Sequence, residues 1–337
     1  SAATLNLYRK DQATAADYTV PMTYDAATGM WSATFSEADP DGFFYYFTLS
    51  TAKGSVAVLD PYARSMAAYR NKGCSGRAAV VNMASPRALP AGGMNAGFVS
   101  LKQREDAVIY EMSVRDFTIS ADAGVKAAPG TYLAFIEKLP YLKSLGITHV
   151  QLMPVVNFYF TDETNRAFED SGTVSNNNYN WGYDPHNYFT PEGWFATDAE
   201  DPYARIAELR TLINECHKAG IGVLLDVVYN HMAGTSFLDD IVPGYFFRTN
   251  AQGKLTSNSG CGNDVATERA MARKLIVDSV RHWVTEYKVD GFRFDLMGLM
   301  DSQTVLDSYA AAKAVNPATL FEGEGWKMYN GATGTVG

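Results

Sequence analysis

Residues 268–295, ERAMARKLIVDSVRHWVTEYKVDGFRFD, decide the fold class. Residues 268–287 place apolar side chains at the spacing of an amphipathic helix, and residues 289–295 follow as a short apolar strand. The same order of helix, turn and strand occurs in residues 201–228, where Gly220 ends the helix. Repeated helix–strand units with near-continuous apolar strands are typical of a parallel sheet covered by helices.

Five such strands are predicted from residue 106 onward. The strands lie at residues 107–112, 148–153, 221–228, 289–295 and 318–324, with helices at 131–144, 201–219, 268–287 and 302–315. This array fits either a doubly wound open sheet or the first five units of a (β/α)8 TIM barrel. Polar and acidic residues end every strand, which favours the barrel, because a barrel builds its site from the loops after the strands. No Gly-x-Gly-x-x-Gly follows any strand, so a nucleotide site is unsupported.

Residues 1–70 show a different pattern. Short strand-like runs alternate with turn signals such as Asp39-Pro40-Asp41-Gly42, which is typical of an all-β, immunoglobulin-like sandwich. Residues 71–105 are rich in Gly, Ala, Ser and Pro and are interpreted as a connecting segment. The predicted organisation is therefore a sandwich module (1–70), a connecting segment (71–105) and the N-terminal part of a barrel (106–337).

Composition excludes several classes of protein. Hydrophobic residues make up 47% and charged residues 19%, as in a globular domain. The formal net charge of −9 argues against nucleic acid or a membrane as partner, since phosphate binding needs clustered Lys and Arg. Cys74, Cys216 and Cys261 are too few and too far apart for a disulfide framework. Free thiols favour the bacterial cytoplasm over export, but the location is otherwise open.

The fourth predicted strand carries the first candidate catalytic residues. Strand side chains alternate between faces, so Arg293 and Asp295 share one face while Phe292 and Phe294 occupy the other. An Arg beside an Asp favours the ionised carboxylate, which a nucleophile requires. The same two residues could equally form a structural ion pair at the end of a strand.

A second carboxylate ends the fifth strand. Glu324 lies near Trp326 in the sequence, and a carboxyl group beside apolar bulk tends to keep its proton. An ionised carboxylate facing a protonated one, about 5–5.5 Å away, is the pair that a retaining glycosidase uses. Glu322 points into the same space and is the alternative acid, or else a buried Glu paired with an Arg.

Two further segments are candidates for substrate binding. DVVYNH (226–231) ends the third strand, and Asp226 and His231 could bind a ligand or only cap a loop. YNWGYDP (179–185) is an aromatic loop whose rings could stack on sugars, or pack on the surface of the protein.

Together these segments resemble the α-amylase superfamily of glycoside hydrolases and, within it, the type I pullulanases. The match comprises DVVYNH, GFRFDLMG (291–298), GEGW (323–326) and YNWGYDP, supported by YEMSVRDF (110–117), PEG (191–193) and SGCGN (259–263). YNWGYDP is the segment that points to debranching enzymes. The resemblance implies that residues 1–70 are a starch-binding β-sandwich.

The resemblance also implies individual roles. Asp295 would be the nucleophile, Glu324 the general acid and base, and Arg293 the group that orients Asp295. Asp226 would bind the substrate and also brace Arg293, and His231 would contact the sugar at the cleavage point. Tyr183 would stack beneath that sugar, and Asp184 would anchor the loop. Trp181 and Trp326 would line the cleft. No cofactor is required, and a structural Ca²⁺ near Asn230 stays open because some relatives bind calcium there.

The function implied is retaining hydrolysis of α-1,6 branch bonds in pullulan, amylopectin and limit dextrins, with starch or glycogen as the polymeric partner. Alternatives are an isoamylase-type debranching enzyme, an α-1,4 amylase, or a glucan-binding fragment without activity. The last follows because relatives carry a third carboxylate after a seventh strand, which this sequence does not contain. We therefore expect a fragment, or a chain completed by a second one. Glu322 also stands where relatives have an aromatic residue, and no clear strand precedes Leu5.

Overall fold

The computed structural model describes residues 1–52, 54–70, 76–167 and 178–329. The strands are β1 (Ala2–Tyr8), β2 (Tyr18–Pro21), β3 (Thr23–Asp25), β4 (Met30–Ser32), β5 (Phe44–Thr51), β6 (Gly54–Val58), β7 (Ala78–Ala79), β8 (Ile109–Met112), β9 (His149–Leu152), β10 (Gly222–Val227), β11 (Gly291–Phe294) and β12 (Leu320–Gly323). The α-helices are α1 (Tyr132–Ile136), α2 (Leu139–Ser144), α3 (Ala204–Lys218), α4 (Ser236–Asp239), α5 (Ala270–Tyr287) and α6 (Ser302–Lys313).

The N-terminal module is antiparallel. Its main sheet has the order β2-β1-β5-β6, with β7 also paired to β5, and β3 and β4 form a separate hairpin. The first strand begins at Ala2, ahead of the predicted start at Leu5. Because β7 lies in the segment predicted as a connection, the sheet extends beyond residue 70. The immunoglobulin-like assignment stays a prediction.

The parallel sheet decides between the two predicted architectures. Its order is β8-β9-β10-β11-β12, so every described strand pairs in parallel with its neighbour in the chain. A doubly wound sheet would instead reverse its order at a switch point. The order therefore fits the wall of a TIM-type barrel, and all five strands lie within the predicted ranges.

One predicted helix was wrong. Residues 131–144 form two short helices, α1 and α2, instead of a single one. Pro140 explains the break, because it has no N–H to donate to the carbonyl of Ile136 and its ring would collide with that carbonyl. Pro140 is instead accommodated in the first turn of α2, where a free N–H is not needed.

The core lies between the parallel sheet and its helices. Phe292 and Phe294 of β11 are fully buried, as is Trp283 of α5, and Phe294 also packs against Phe321 of β12. With one face of β11 committed to this core, Arg293 must point to the other face, into the barrel. The alternation predicted for β11 is confirmed.

Other predictions concern the surface and the thiols. No helix in the described ranges is both long and apolar enough to cross a bilayer. Cys216 is a buried free thiol and Cys261 an exposed one, while Cys74 lies outside the described residues.

Candidate active site

The candidate catalytic residues meet where three neighbouring strands end. Asp226 of β10 is in register with Arg293 of β11. Just beyond the strands, the Asp295 N–H donates to the Val227 carbonyl at 3.0 Å, and the Glu324 N–H donates to the Phe294 carbonyl at 3.1 Å. These bonds continue the ladder by one residue, so both carboxylates stand at the same rim of the sheet.

Arg293 connects all three carboxylates. Its Nη1 lies 2.9 Å from Asp226 Oδ1 and 3.1 Å from Asp295 Oδ1, and its Nη2 lies 2.5 Å from Glu324 Oε1. Sequence reasoning expected contacts with Asp226 and Asp295. The contact with Glu324 is an addition, and it brings the two proposed catalytic carboxylates onto one guanidinium.

Asp226 is fully buried beneath Arg293. Burial raises the pKa of Asp226 to about 7, although the Arg293 guanidinium and the Tyr183 hydroxyl favour its charged form. The Tyr183 hydroxyl donates to Asp226 Oδ2 at 2.7 Å, and burial raises the pKa of Tyr183 well above its usual value. Tyr183 is therefore a donor at neutral pH, and it ties the aromatic loop to β10.

Asn230 holds Asp295 from the side opposite Arg293. Its amide nitrogen donates to Asp295 Oδ2 and to the Asp295 carbonyl, both at 2.8 Å. The resemblance had suggested only a calcium region for Asn230. Its Oδ1 faces His231 Nδ1 at 2.7 Å, so the amide is engaged on both sides. Among the described residues, no cluster of three or more His, Cys, Asp or Glu side chains could hold a metal ion.

His231 lies between Asn230 and the aromatic loop. Its Nδ1 faces Asn230 Oδ1, and its Nε2 faces the Tyr183 carbonyl at 2.9 Å. Both ring nitrogens therefore have protein partners in this structure, and the sugar contact expected for His231 stays a prediction. Burial lowers the pKa of His231, against the opposing effect of the Tyr183 carbonyl. In this structure His231 links the DVVYNH segment to the aromatic loop.

Glu324 lies in a polar setting. Sequence reasoning placed it against apolar bulk, but its Oε1 contacts Arg293 and its Oε2 accepts the Leu296 N–H at 3.1 Å. Glu322, the alternative acid, lies in β12 two residues before Glu324 and is in register with Arg293. In the described chain, the ion pairs of Arg293 are to Asp226, Asp295 and Glu324, so Glu322 is not the buried ion-pair partner considered from the sequence.

Asp184 anchors the aromatic loop. Its Oδ2 accepts the backbone N–H groups of Phe160 at 2.6 Å and Tyr159 at 3.1 Å, and the Asn180 amide at 3.2 Å. Burial raises the pKa of Asp184, while these hydrogen bonds oppose the shift. Asp184 thus joins the loop after β9 to the YNWGYDP segment.

Two tryptophans stand exposed near these strand ends. Trp181 is 59% exposed and Trp326 is 60% exposed. The Trp181 Nε1–H donates to Tyr179 Oη at 2.9 Å, and that hydroxyl donates to Asp116 Oδ2 at 2.6 Å. Trp181 is therefore held in place while its ring stays open to solvent.

Sequence reasoning missed a buried charge cluster behind the loop. Arg205 of α3 and Glu163 are fully buried and form an ion pair at 2.6 Å, with the buried Glu192 beside them. Burial raises the pKa of Glu192, with a further contribution from the charge of Glu163. The backbone N–H groups of Phe158 and Trp194 donate to Glu192. In the sequence, PEG (191–193) stood out only as part of the motif match, because a single buried Glu produces no periodic pattern of apolar residues.

Comparison with known proteins identifies the family of this chain. A model of the alpha-amylase catalytic domain matches residues 46–240. The chain belongs to the alpha-amylase catalytic-domain family. This confirms the family that the motifs indicated, and with it the TIM-type barrel.

Individual relatives are pullulanases. Pullulanase A of Streptococcus pneumoniae is 42% identical over 321 residues, which cover 90% of this chain and 25% of that protein. The pullulanase of Bacillus subtilis is 37% identical and is covered to 40% of its length. The Group B Streptococcus pullulanase, solved in complex with maltotetraose, superposes with a TM-score of 0.91 at 39% identity, over 99% of this chain and 44% of that one. The chain thus spans less than half the length of each of these relatives.

Proposed function

We propose that the protein carrying this chain is a retaining glycoside hydrolase that cleaves α-1,6 branch bonds in α-glucans. One observation carries the proposal. A single guanidinium, on Arg293, contacts both Asp295 and Glu324 at the ends of adjacent strands. Two carboxylates held this close, at the face of a barrel where active sites lie, suit a double displacement.

The residues can divide the chemistry as follows. An Asp295 carboxylate oxygen attacks the anomeric carbon, and the bond to the leaving oxygen breaks as Glu324 gives that oxygen a proton. Asp295 then carries the sugar as an ester. Glu324 takes a proton from water, which attacks the anomeric carbon and releases Asp295. Arg293 contacts one oxygen of Asp295 and Asn230 donates to the other, so the carboxylate is already oriented for attack.

Pullulan, amylopectin and limit dextrins are the proposed substrates, with starch and glycogen as the natural polymers. Support comes from the similarity to pullulanases and from the YNWGYDP segment, which presents the exposed ring of Trp181. The maltotetraose complex of the Group B Streptococcus protein fits an α-glucan ligand. We further propose that the N-terminal sheet is a starch-binding module, and that no cofactor takes part. A structural calcium ion near Asn230 stays a prediction.

Digestion of pullulan by the complete protein tests this proposal. We expect maltotriose, because pullulan is built of maltotriose units joined by α-1,6 bonds, and none from Asp295→Asn. An Asp307→Asn variant is the matched control, since Asp307 lies on α6. Short linear products from amylose without maltotriose would indicate an α-1,4 amylase instead. Binding to pullulan without any product would leave only the glucan-binding alternative.

A further inference from the structure

The backbone just after Asp295 is strained. Leu296 has φ 42° and ψ 47°, in the left-handed region that residues with a β-carbon avoid. Among the described residues, the other non-glycine positions with positive φ are Asn263 and Lys288. Asn tolerates this region, and Lys288 ends α5, where left-handed residues are common. Leu296 has neither reason, and such strain tends to persist where it serves a function.

The strained conformation aims an N–H group at the proposed acid. The Leu296 N–H donates to Glu324 Oε2 at 3.1 Å. In the same turn, the Gly298 N–H donates to the Glu324 carbonyl at 2.9 Å. One turn therefore holds both the backbone and the side chain of Glu324, directly beside Asp295.

Close backbone packing locks this turn onto the end of β12. A β-carbon on Gly298 would lie 2.3 Å from the Trp326 carbonyl oxygen, and one on Gly323 would lie 2.6 Å from Met297 Sδ. The turn therefore packs closely against residues 323–326. In its left-handed conformation, Leu296 directly follows Asp295 in the chain and places its N–H within hydrogen-bond distance of Glu324.

We infer that Leu296 is a positioning residue for Glu324: its left-handed backbone fixes the acid's carboxyl group next to the nucleophile. An amide N–H donates to an oxygen lone pair, so the Leu296 N–H fixes the position of Oε2. Oε1 is held by Arg293 Nη2 at 2.5 Å, so both carboxyl oxygens of Glu324 have a partner. The inference rests on the proposed function, because it assumes that Glu324 protonates the leaving oxygen.

The test uses variants that change the backbone preference but keep the N–H group. Leu296→Val disfavours the left-handed conformation because its side chain branches at the β-carbon, whereas Leu296→Gly permits it freely. Leu306→Val, on the exposed side of α6, controls for the substitution itself. Each is assayed in the complete protein on pullulan and on maltotriosyl fluoride, whose fluoride leaves without being protonated.

We expect Leu296→Val to lower kcat/KM on pullulan by roughly 10- to 100-fold, while the initial release of fluoride stays at the parent rate. Leu296→Gly should match the parent on both substrates. Three outcomes would overturn the inference: Leu296→Val acts on pullulan like the parent, it loses both substrates equally, or Leu296→Gly fails as Leu296→Val does.

Glu324→Gln separates this inference from the proposed function. It should lose pullulan hydrolysis but keep the initial release of fluoride. If it keeps pullulan hydrolysis, the proposed role of Glu324 is wrong, whatever the Leu296 variants do. If it loses pullulan hydrolysis and Leu296→Val does not, only the inference about Leu296 fails.

Discussion

At the scale of single residues, the site depends on Arg293. Its guanidinium contacts Asp226, Asp295 and Glu324 through two different nitrogens. A Lys ammonium is a single compact donor group on a flexible stem, and it cannot reproduce a planar array of contacts. Arg293 also compensates the charge of Asp226, whose side chain is fully buried.

We predict that Arg293→Lys lowers kcat/KM on pullulan by about 100-fold or more, in line with the loss of one preorganised donor in other active sites. Arg104→Lys is the control, since the Arg104 side chain is 83% exposed and forms its ion pair with its neighbour Glu105. Steady-state kinetics of the complete protein measure the effect. A Lys variant within a few-fold of the parent would show that the shared guanidinium contributes little.

The same contacts predict a change in stability. Arg293→Met should lower the free energy of unfolding by about 3–5 kcal/mol, because it leaves a buried carboxylate without its charged partner. Adding Asp226→Asn should restore part of that loss, since the amide carries no charge to compensate. Urea unfolding of the two single variants and the double variant measures this. Purely additive losses would contradict a direct interaction between Arg293 and Asp226.

At the scale of elements, β11 and β12 approach too closely for a side chain at one position. A β-carbon on Gly291 would lie 2.1 Å from the Leu320 carbonyl oxygen. Gly291→Ala should therefore push β12, which leads into Glu324, away from β11. We expect a loss of about 3 kcal/mol in the free energy of unfolding, against little change for Gly97→Ala, where the added carbon meets nothing within 4 Å. Equal stability of the two variants would contradict this packing.

Helix α5 contains a group that should make the fold sensitive to acid. Burial lowers the pKa of His282 to about 3, with a further contribution from Arg64, while the Phe189 carbonyl opposes the shift. Between this pKa and the ordinary value near 6.5, the unfolded chain binds more protons than the folded one, so stability falls as pH falls. From pH 7 to pH 5 the loss due to His282 is about 2 kcal/mol.

His282→Gln tests that dependence, because Gln can still donate to the Phe189 carbonyl but does not titrate. We expect the parent to lose about 2 kcal/mol more stability than the variant between pH 7 and pH 5. Parallel pH profiles in urea unfolding would show that His282 is not the group responsible.

Elements also show how far sequence patterns reach. Alternation along β11 was sufficient to place Arg293 and Asp295 on one face, because the core occupies the other. The apolar spacing of residues 131–144 predicted a single helix, although Pro140 within this range indicates a break in a helix. The environment of Glu324 could not be predicted, since it depends on the angle of Leu296 and on contacts across two strands.

At the scale of the whole molecule, the strand order of the sheet gathers residues that are far apart in the sequence into one rim. Asp226, Asp295 and Glu324 follow three successive strands, and the YNWGYDP loop reaches them through Tyr183. The sequence predicted this gathering from the polar and acidic residues that end each strand, and the motif order of the family implied it as well. His231 adds contacts that the family did not imply, because its ring nitrogens face Asn230 Oδ1 and the Tyr183 carbonyl.

The exposed ring of Trp181 gives a prediction at this scale. If the rim binds glucan, Trp181→Ala should weaken maltotetraose binding by roughly tenfold, as expected for loss of one large aromatic anchor. Tyr141→Ala, an exposed aromatic position on α2, should leave it unchanged. Calorimetric titration of the complete protein measures both. Equal affinities would place the binding surface elsewhere.

Asp295 is proposed as the nucleophile of a double displacement, with Glu324 as its acid and base. Mass spectrometry of the complete Glu324→Gln protein after reaction with maltotriosyl fluoride tests both roles. Fluoride leaves unaided, and without the base the intermediate should accumulate. We expect a maltotriosyl ester on the peptide that contains Asp295, and none when Asp295→Asn is added. An ester on Asp226 or Glu322, or hydrolysis to the inverted anomer without an ester, would contradict these roles.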